Sequence, residues 1–437
     1  MTAESVPSCV KDFCREVHKV RPKDAPSSSW QFRSKRNLEM KSCEIAIVGA
    51  GIVGLATAWS LSKRLPEAHL LILEKESRIA AHQSSHNSGV LHSGIYYKPG
   101  SLRAINCRKG KLMMEEFCRT YGIPFERCGK VIVAVDESER GRMQNIYERG
   151  QANGIECKLI DAARLRELEP HAAGIAAIHV PEAGIVDYPR VCTQLAELLQ
   201  SQGHEILLNA GVSAIHSQPD RIELDTAQGE VEAGQLVTCG GLWSDRLIRM
   251  AGQVPLAPIV PFRGEYYDLK PEARHLCRNL IYPVPDPAYP FLGVHFTRTL
   301  HGGVECGPNA VLAFARAGYT RLEINPRDLL ETLTYSGFRK MAWNNWRTGL
   351  GEMWRSWSKR AFVAALQRLI PEIRAEHLVP APPGVRAQAL GQDGKLVDDF
   401  VIQKFDRMVH VGNAPSPAAT ASLSIGERIA DELLKNC

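Results

Sequence analysis

The sequence Glu44-Ile-Ala-Ile-Val-Gly-Ala-Gly-Ile-Val-Gly54 combines an apolar run with three glycines in the spacing Gly-x-Gly-x-x-Gly. A second apolar run, Leu70-Leu-Ile-Leu73, follows and leads directly into Glu74. This pattern predicts a buried strand, a tight turn, a helix and a second buried strand. Such an arrangement is typical of proteins that bind an ADP-containing dinucleotide.

Each conspicuous residue of this pattern has a physical role. Gly49 makes the tight turn, Gly51 lets the backbone approach the pyrophosphate, and Gly54 lets the helix pack close to the strand. The pyrophosphate lies on unpaired N–H groups at the positive end of the helix. Glu74 is placed to accept hydrogen bonds from a ribose diol, and its charge repels the 2′-phosphate of NADP.

Composition restricts the class of protein. The 437 residues suit two or three domains, and 44% hydrophobic and 23% charged residues are ordinary for a globular protein. A net charge of +5 is too small to indicate nucleic-acid binding and is compatible with anionic substrates. The 12 cysteines have no CxxC or metal-like spacing, so we expect reduced thiols. No apolar run approaches the roughly 20 residues of a membrane span.

Residues 1–42 differ from the rest of the chain. They mix Lys, Arg, Ser and Pro without apolar periodicity, and they lack the hydrophobic run of a secretory signal. Their acidic residues argue against a transit peptide. We therefore expect a disordered extension, and Met40, just before the first predicted strand, is a candidate start of translation.

Further patterns predict a cofactor domain built from separated segments. A helix is expected over about 101–121, a strand over 130–135 and helices over 137–170. Residues 236–245 predict a strand that runs into a Gly-Gly turn and a helix. Residues 255–312 predict the strands of a second domain, and 327–376 are predicted to be helical. The last 30 residues predict a strand, a small-residue loop and a helix.

Several long motifs resemble one family of flavoenzymes. A segment rich in Ser, His, Asn and Gly, 82–94, follows Glu74 directly, whereas a nicotinamide enzyme continues with regular strands and helices. The arrangement resembles the FAD-dependent D-amino-acid oxidase superfamily and, within it, the L-2-hydroxyglutarate dehydrogenases. The resemblance covers residues 43–430, and its motifs include His86-Asn-Ser-Gly-Val-Leu-His92, Pro261-Phe-Arg-Gly-Glu-Tyr266, Pro290-Phe-Leu-Gly-Val-His295, Gly384-Val-Arg-Ala-Gln-Ala389 and Asn413-Ala-Pro-Ser-Pro-Ala-Ala-Thr420.

This resemblance implies an α/β fold with two domains. One is a Rossmann-like FAD-binding domain of the glutathione-reductase type. The other is an α+β substrate domain that contains a mixed or antiparallel sheet. The predicted FAD-binding parts are 43–107, 181–250 and 381–437, and the predicted substrate-domain parts are 108–180 and 251–380.

The resemblance also implies a reaction, the oxidation of L-2-hydroxyglutarate to 2-oxoglutarate with FAD receiving a hydride. Electrons would pass to a quinone-linked acceptor or to oxygen. Proton transfer near neutral pH favours histidine. His92 and His295, which follow small-residue turns in the shared motifs, are the predicted catalytic residues, and a hydrogen-bonded structural role is the alternative for each. Because His82, His86 and His92 lack a completing set of ligands, we predict no metal.

The substrate carboxylates favour arginine, whose planar fork binds both oxygens. Arg263 and Arg386 occur in shared motifs, with a surface ion pair as the alternative for each. Lys395 lies beside a tight turn and either binds substrate or stabilises negative charge on the reduced flavin. Tyr97 and Tyr267 are predicted to add hydroxyl donors.

The predicted FAD ligands divide into two groups. Gly49, Gly51, Gly54 and Glu74 serve the ADP half by their pattern. By the resemblance, a helix beginning near Thr420 points its N–H groups at the flavin edge where negative charge accumulates on reduction. The other residues that the resemblance implies are Ser85, Asn87, Ser88, Gly89, Val212, Gly240 and Gly241.

Residues 339–360 form a candidate surface site. Four of the seven tryptophans occur there among six basic residues, with Glu352 as the one acidic residue. A basic, tryptophan-bearing helical surface can lie at a membrane interface, which would suit a membrane quinone as the acceptor. The alternative is packing of the tryptophans onto the second domain. The expected location is cytoplasmic, with peripheral contact to the inner face of a membrane as an option.

Three functions stay open from the sequence. The first is oxidation of L-2-hydroxyglutarate, a small dicarboxylate that two basic groups would suit. The second keeps the fold but acts on an amino acid or another 2-hydroxy acid, and a carboxylate arranged to bind an ammonium group would favour the amino acid. The third is a non-catalytic scaffold that binds FAD.

Overall fold

The computed structural model describes residues 40–286 and 292–435. Most of the segment 1–42, which was expected to be disordered, lies outside the described residues. At the end of this segment the first strand already begins, at Lys41. The strands are β1 (Lys41–Val48), β2 (Leu70–Leu73), β3 (Val90–Leu91), β4 (Phe125–Glu126), β5 (Lys130–Ala134), β6 (Lys158–Asp161), β7 (Ala176–Val180), β8 (Gly184–Val186), β9 (Glu205–Leu207), β10 (Val212–Ser217), β11 (Ile222–Thr226), β12 (Gly229–Thr238), β13 (Ile259–Leu269), β14 (Leu280–Pro283), β15 (His295–Arg298), β16 (Val304–Gly307), β17 (Val311–Leu312), β18 (Leu378–Ala389), β19 (Val401–Phe405) and β20 (Met408–Asn413). The helices are α1 (Ile52–Arg64), α2 (Leu102–Thr120), α3 (Arg140–Ala152), α4 (Ala162–Leu168), α5 (Tyr188–Ser201), α6 (Ser244–Met250), α7 (Pro326–Thr334), α8 (Ser336–Asn344), α9 (Trp346–Trp357), α10 (Lys359–Gln367) and α11 (Ala418–Leu434).

The first sheet has eight strands and contains the glycine motif. Its order is β10-β11-β12-β1-β2-β9, and β20 extends it by pairing with β12 and β19. The pairs β1–β12, β1–β2, β2–β9 and β12–β20 are parallel. Helices cover both faces of parallel strands, which explains why β1 and β2 read as continuous apolar runs. Ile45 and Ile47 of β1 pack towards α1, α5 and α11, and Ala46 and Val48 belong to the core on the other face.

The second sheet has nine strands and is mixed. Its order is β17-β13-β16-β15-β14-β5-β7-β6, with β18 paired to β13. Most neighbours are antiparallel, but β5 and β14 run parallel. One face packs on α10 through residues such as Phe296 and Phe362. The predicted α/β fold with a mixed second sheet is therefore confirmed.

The structure differs from the sequence-based boundaries in three places. Helix α2 crosses the predicted boundary between 43–107 and 108–180, and its second half, with Met114 and Phe117, belongs to the core of the first sheet. Strand β18 extends to Ala389 on β13, so 381–389 belongs to the second sheet rather than to the FAD-binding part 381–437. The predicted all-helical region 137–170 contains β6, a charged edge strand without an apolar pattern.

A buried ion pair connects α6, the helix after the Gly-Gly turn, to the segment that follows β17. Asp245 of α6 is fully buried and accepts a hydrogen bond of 2.9 Å from Arg316. Asp245 also accepts the N–H of Ile259, where β13 begins. Burial by itself raises the pKa of the Asp245 carboxyl, but the hydrogen bonds and charge of Arg316 outweigh it and hold the pKa below its ordinary range.

Candidate active site

A cavity of about 290 Å³ lies at the carboxyl ends of the strands of the first sheet. Its wall includes Val48, Leu73 and Asn413, the last residues of β1, β2 and β20. Ligands of open α/β sheets bind in this position. The predicted FAD residues that line the cavity are Gly49, Gly51, Glu74, Val212, Gly240 and Gly241.

The glycine turn at this cavity has no room for side chains. Gly49 has a φ of +107°, and a Cβ atom there would lie 2.5 Å from the carbonyl oxygen of Cys239. A Cβ atom on Gly54 would overlap the carbonyl oxygen of Gly49 and lie 3.1 Å from its carbonyl carbon. The turn and the start of α1 therefore pack as closely as a dinucleotide fingerprint requires, and the residues present fit the ADP half of FAD.

Glu74 is a buried carboxylate in the wall of the cavity. The side chain is 7% exposed, and its two oxygens accept the N–H groups of Ala50 at 2.8 Å and Glu76 at 3.0 Å. A carboxylate oxygen can accept more than one hydrogen bond. Glu74 therefore keeps acceptor capacity for a ribose diol while its orientation is held by the backbone.

Ser84, which the sequence did not single out, lies at the N-terminus of α1. Its hydroxyl accepts the N–H of Ile52 at 2.9 Å, and the residue lines the cavity. The hydroxyl of Ser85, the residue predicted instead, donates to the carbonyl oxygen of Ala80 at 2.7 Å. Two adjacent serines look alike in a sequence, and only the loop conformation decides which one faces the helix.

The next residues of this loop maintain its shape. The Asn87 amide donates to the carbonyl oxygens of Gln83 and Ser84, and its oxygen accepts the N–H of Gly89. Gly89 has a φ of +66°, and Ser88 precedes it in a half-buried position. Asn87 therefore acts on the loop, while roles of Ser85, Asn87, Ser88 and Gly89 as FAD ligands stay predictions.

Thr420 connects this cavity to a second group of polar residues. Helix α11 begins at Ala418, and Ala418 and Ala419 line the cavity, in keeping with the predicted helix start beside the cofactor. The Thr420 hydroxyl accepts the N–H of His92 at 3.1 Å and lies 2.7 Å from the Tyr188 hydroxyl. Thr420 is fully buried, so its hydrogen bond holds the backbone of His92 close to the start of α11.

Both predicted catalytic histidines lie in this second group. His295 begins β15, and its ring centre lies 4.0 Å from that of Tyr282 on β14. On the other side of Tyr282, the Lys130 ammonium lies 4.7 Å from the tyrosine ring centre. His92 is close enough for the charges of Lys130 and His295 to act on it. One face of the second sheet therefore brings together four groups that are far apart in sequence.

His295 has its tautomer defined by the backbone. Its Nδ1 lies 2.9 Å from the carbonyl oxygen of Gly293, which can only accept, so Nδ1 carries the proton and Nε2 has a free lone pair. Burial lowers the pKa of His295 to about 3, and the charges of Arg386 and Lys130 also act to lower it. The imidazole is therefore neutral at physiological pH and able to accept a proton.

His92 is half-buried and lies under the same influences. Burial lowers the pKa of His92 to about 3, and Lys130, His295 and Arg103 contribute through their positive charge. Its backbone carbonyl accepts a hydrogen bond from the Cys107 thiol at 3.5 Å. Both histidines are therefore in the form that a general base requires.

Arg386 lies in this group together with Tyr266. Burial raises the pKa of Tyr266 and the charge of Arg386 acts to lower it, so the two side chains are close, and Arg386 is half-buried on β18. Tyr267, the tyrosine predicted instead, points to the opposite face of β13, where its ring centre lies 4.8 Å from that of Phe362. Because side chains alternate along a strand, the two neighbours cannot share a site.

Two of the other predicted substrate ligands, Arg263 and Lys395, lie apart from this group. The Arg263 guanidinium donates to the carbonyl oxygen of Thr320 at 3.0 Å and pairs with Glu265 at 3.3 Å, on the other face of β13 from the side chain of Tyr266. Lys395 is exposed in a turn. Tyr97 lies nearer to the group: it is half-buried, Tyr282 acts on its pKa, and the guanidinium of Arg103 lies 4.5 Å from its ring centre. Substrate binding by these three residues stays a prediction.

Comparisons with known proteins agree with this geometry. The model of the FAD-dependent oxidoreductase family DAO matches residues 44–432. An L-2-hydroxyglutarate dehydrogenase of Indibacter alkaliphilus is 48% identical over 90% of this chain and 99% of its own length. An Escherichia coli K12 protein of the same name is 46% identical over 89% of this chain and 93% of its own. A human protein named "L-2-hydroxyglutarate dehydrogenase, mitochondrial" is 44% identical over 91% of this chain and 90% of its own length.

Solved structures share the fold at low sequence identity. L-alpha-glycerophosphate oxidase from Mycoplasma pneumoniae with FAD bound has a TM-score of 0.74 at 21% identity, over 90% of this chain and 95% of that one. Glycine oxidase from Geobacillus kaustophilus has a TM-score of 0.69 at 19% identity, over 91% of this chain and 95% of that one. The chain therefore belongs to the FAD-dependent oxidoreductases and, within them, to the L-2-hydroxyglutarate dehydrogenase family.

Proposed function

We propose that this protein oxidises the 2-hydroxyl group of L-2-hydroxyglutarate and releases 2-oxoglutarate. The observation that carries the proposal is the proximity of two neutral histidines and two cationic side chains, of which His295, Lys130 and Arg386 lie on the second sheet and His92 follows β3. Thr420 links this group to the nucleotide cavity through the backbone of His92. The names of the relatives support the same substrate.

The roles of the residues follow from their chemistry. FAD, when bound, supplies the acceptor for the hydride from C2. Nε2 of His295 accepts the proton of the substrate hydroxyl, since Nδ1 is occupied by Gly293. Arg386 and Tyr266 hold the carboxylate next to C2. The negative charge of the bound substrate opposes the cations that depress the pKa of His295, so binding raises the basicity of the imidazole when it is needed.

The group does not favour an amino acid as substrate. Among the described residues, the charges that act on His92 and His295 come from Lys130, Arg103 and Arg386, and none comes from a carboxylate. An ammonium group at C2 would therefore lie among more positive than negative charges, since burial raises the pKa of Glu305, the carboxyl group that acts on Tyr266 and Tyr282, to about 7. A hydroxyl group carries no such penalty.

Anaerobic mixing tests the proposal. Flavin-loaded protein is mixed with L-2-hydroxyglutarate, D-2-hydroxyglutarate or L-amino acids, and the flavin absorbance band is followed. We expect rapid bleaching with the L-hydroxy acid alone. Absence of bleaching by L-2-hydroxyglutarate would refute the proposal; bleaching by another acid would then favour the second function, and bleaching by none of them the scaffold function.

A pair of histidine variants tests the assignment of the base. His295→Asn should slow flavin reduction by on the order of 100-fold to 10,000-fold with unchanged flavin content. His301→Asn is the control, because that side chain is 82% exposed, and it should behave as the unmodified protein does. If His92→Asn abolishes flavin reduction while His295→Asn slows it only slightly, His92 rather than His295 is the base.

The electron acceptor is proposed from the surface formed by α8 and α9. Trp343, Trp346, Trp354 and Trp357 are 55–81% exposed, so they are not packed onto the second domain. Arg347 and Arg321 lie 5.2 and 5.5 Å from tryptophan ring centres. Among the described residues, no helix is long and apolar enough to cross a bilayer. We propose that this surface lies on an anionic membrane and delivers electrons to a quinone.

Vesicle sedimentation tests the membrane contact. The protein should sediment with anionic vesicles at low salt and be released at high salt, because its basic side chains are attracted electrostatically. Trp343→Ser should weaken binding. Leu256→Ser is a matched control, since Leu256 is 69% exposed elsewhere on the molecule. Equal binding of both variants, or none by the unmodified protein, would remove the membrane proposal.

A further inference from the structure

Lys130 is a buried cation without a described counter-ion. The residue is 1% exposed at the start of β5. Among the described residues, no carboxylate forms a salt bridge with it, and its ammonium group instead lies 5.0 and 4.7 Å from the ring centres of Tyr96 and Tyr282. A buried charge is costly unless it is paired, and two aromatic faces compensate it only in part. The position therefore calls for an anion.

Tyr96 provides a second, independent sign of a missing ligand. Its hydroxyl oxygen is buried and has no hydrogen-bond partner among the described residues. Leaving such a group unpaired costs free energy, so native structures rarely keep one without a role. The ammonium group and the hydroxyl are both donors, and a carboxylate is an acceptor for both.

The place of Lys130 relative to the reacting atoms is defined by the sheet. Tyr282 stands between Lys130 and His295, with 4.0 Å between the tyrosine and histidine ring centres. The strand order β18-β13-β16-β15-β14-β5 puts Arg386 on one side of His295 and Lys130 on the other. The base is therefore flanked by two cations, as a substrate with a carboxylate at each end would require.

We propose that Lys130 and the Tyr96 hydroxyl bind the distal carboxylate of the substrate and so select a 2-hydroxy dicarboxylic acid over a monocarboxylic one. The inference rests on the proposed function, and it assigns the specificity to residues that the reaction itself does not use. Arg386 and Tyr266 then hold the carboxylate that all 2-hydroxy acids share. Loss of Lys130 should remove the preference without removing the chemistry.

Binding of two product-like acids measures this preference directly. Calorimetry on flavin-loaded protein compares 2-oxoglutarate with 2-oxovalerate, which has a methyl group where 2-oxoglutarate has the distal carboxylate. Lys130→Met, close in volume but neutral, should weaken 2-oxoglutarate binding by on the order of tenfold to 100-fold and 2-oxovalerate binding by less than about threefold. Tyr96→Phe should give a smaller loss of the same selectivity. Lys158→Met, on the exposed edge strand β6, is the control.

A pH series supplies a second readout. Burial lowers the pKa of Lys130 to about 8, so the free protein loses the positive charge as the pH rises through that value. The dissociation constant of 2-oxoglutarate should therefore increase across this range, and in Lys130→Met the increase should be absent. The unmodified protein and Lys130→Met share the other titratable groups that face this position, so these groups do not account for a difference between the two. They are His92, Tyr96, Cys107, Cys128, Tyr282 and His295.

The outcomes separate this inference from the proposed function. If Lys130→Met weakens both acids equally, or neither, Lys130 does not bind the distal carboxylate and the inference is wrong. If Lys130→Met does not fold, Tyr96→Phe must still lower the ratio of the two affinities. Failure of L-2-hydroxyglutarate to reduce the flavin of the unmodified protein would overturn the function, whereas the binding ratio is measured without turnover.

Discussion

Replacement of Gly49 by alanine tests the packing that makes the nucleotide cavity. The alanine would have to adopt a φ of +107°, which costs an L-residue roughly 1–3 kcal/mol. Its Cβ atom would also lie 2.5 Å from the backbone oxygen of Cys239. Relief requires a shift of β12 or of the turn, and overpacking of this kind costs about 1–3 kcal/mol more. We therefore expect a total loss of roughly 2–6 kcal/mol in the free energy of unfolding.

Two further glycines separate these contributions. Gly100 has a φ of +80° but has nothing within 4 Å of a Cβ atom, so Gly100→Ala carries the conformational cost alone. Gly141, near the start of α3, has a helical environment and open space, so Gly141→Ala should be neutral or slightly stabilising. Thermal denaturation without added FAD should rank the stabilities as Gly141→Ala, Gly100→Ala and Gly49→Ala.

Titration with FAD completes this test. Gly49→Ala moves the turn that lines the cavity, so its affinity for FAD should fall at least about tenfold. Gly100→Ala lies outside the cavity lining and should bind FAD normally. Equal stability and equal FAD affinity of the two variants would refute the claim that close contact with the Cys239 backbone shapes the site.

Three other substitutions have defined outcomes. Tyr266→Phe should raise KM for L-2-hydroxyglutarate by about tenfold, because one of the two groups proposed to hold the carboxylate next to C2 is lost, whereas Tyr267→Phe should leave steady-state kinetics unchanged. Ser84→Ala should lower FAD affinity in a fluorescence titration by several-fold, and Ser85→Ala should do so less. Asp245→Asn should lower the free energy of unfolding, measured by chemical denaturation at neutral pH, by about 3–5 kcal/mol. Since the pKa of Asp245 is depressed by folding, this difference should shrink as the pH falls below 3.8 and through the lower folded value.

The sequence was sufficient to predict those parts of the structure that depend on residues close together in the chain. The spacing of Gly49, Gly51 and Gly54 and the position of Glu74 predicted a turn whose geometry depends on neighbouring residues and two adjacent strands. Helix α2 begins and ends within one residue of its expected limits, and α11 begins within two residues of Thr420. Apolar periodicity and helix caps are short-range signals, so a single chain carries them completely.

Choices between neighbours could not be made from the sequence. Tyr266 and Tyr267, like Ser84 and Ser85, are adjacent residues of the same type, and their side chains point in different directions. Which one faces a ligand depends on strand register and on the path of a loop. A bulge between Gly264 and Tyr266 shifts this register in β13.

The sequence by itself determined the cofactor-binding unit and the family, because both are written in contiguous motifs. Only the tertiary structure brought Lys130 beside Tyr96 and next to the group that contains His295 and Arg386. A lysine at the start of a strand looks like a surface residue, and nothing in its neighbours reports that it is buried. Burial and proximity arise from the packing of β5 against β14 and of the loop that contains Tyr96. The substrate specificity that we propose is therefore a property of the fold and not of any motif.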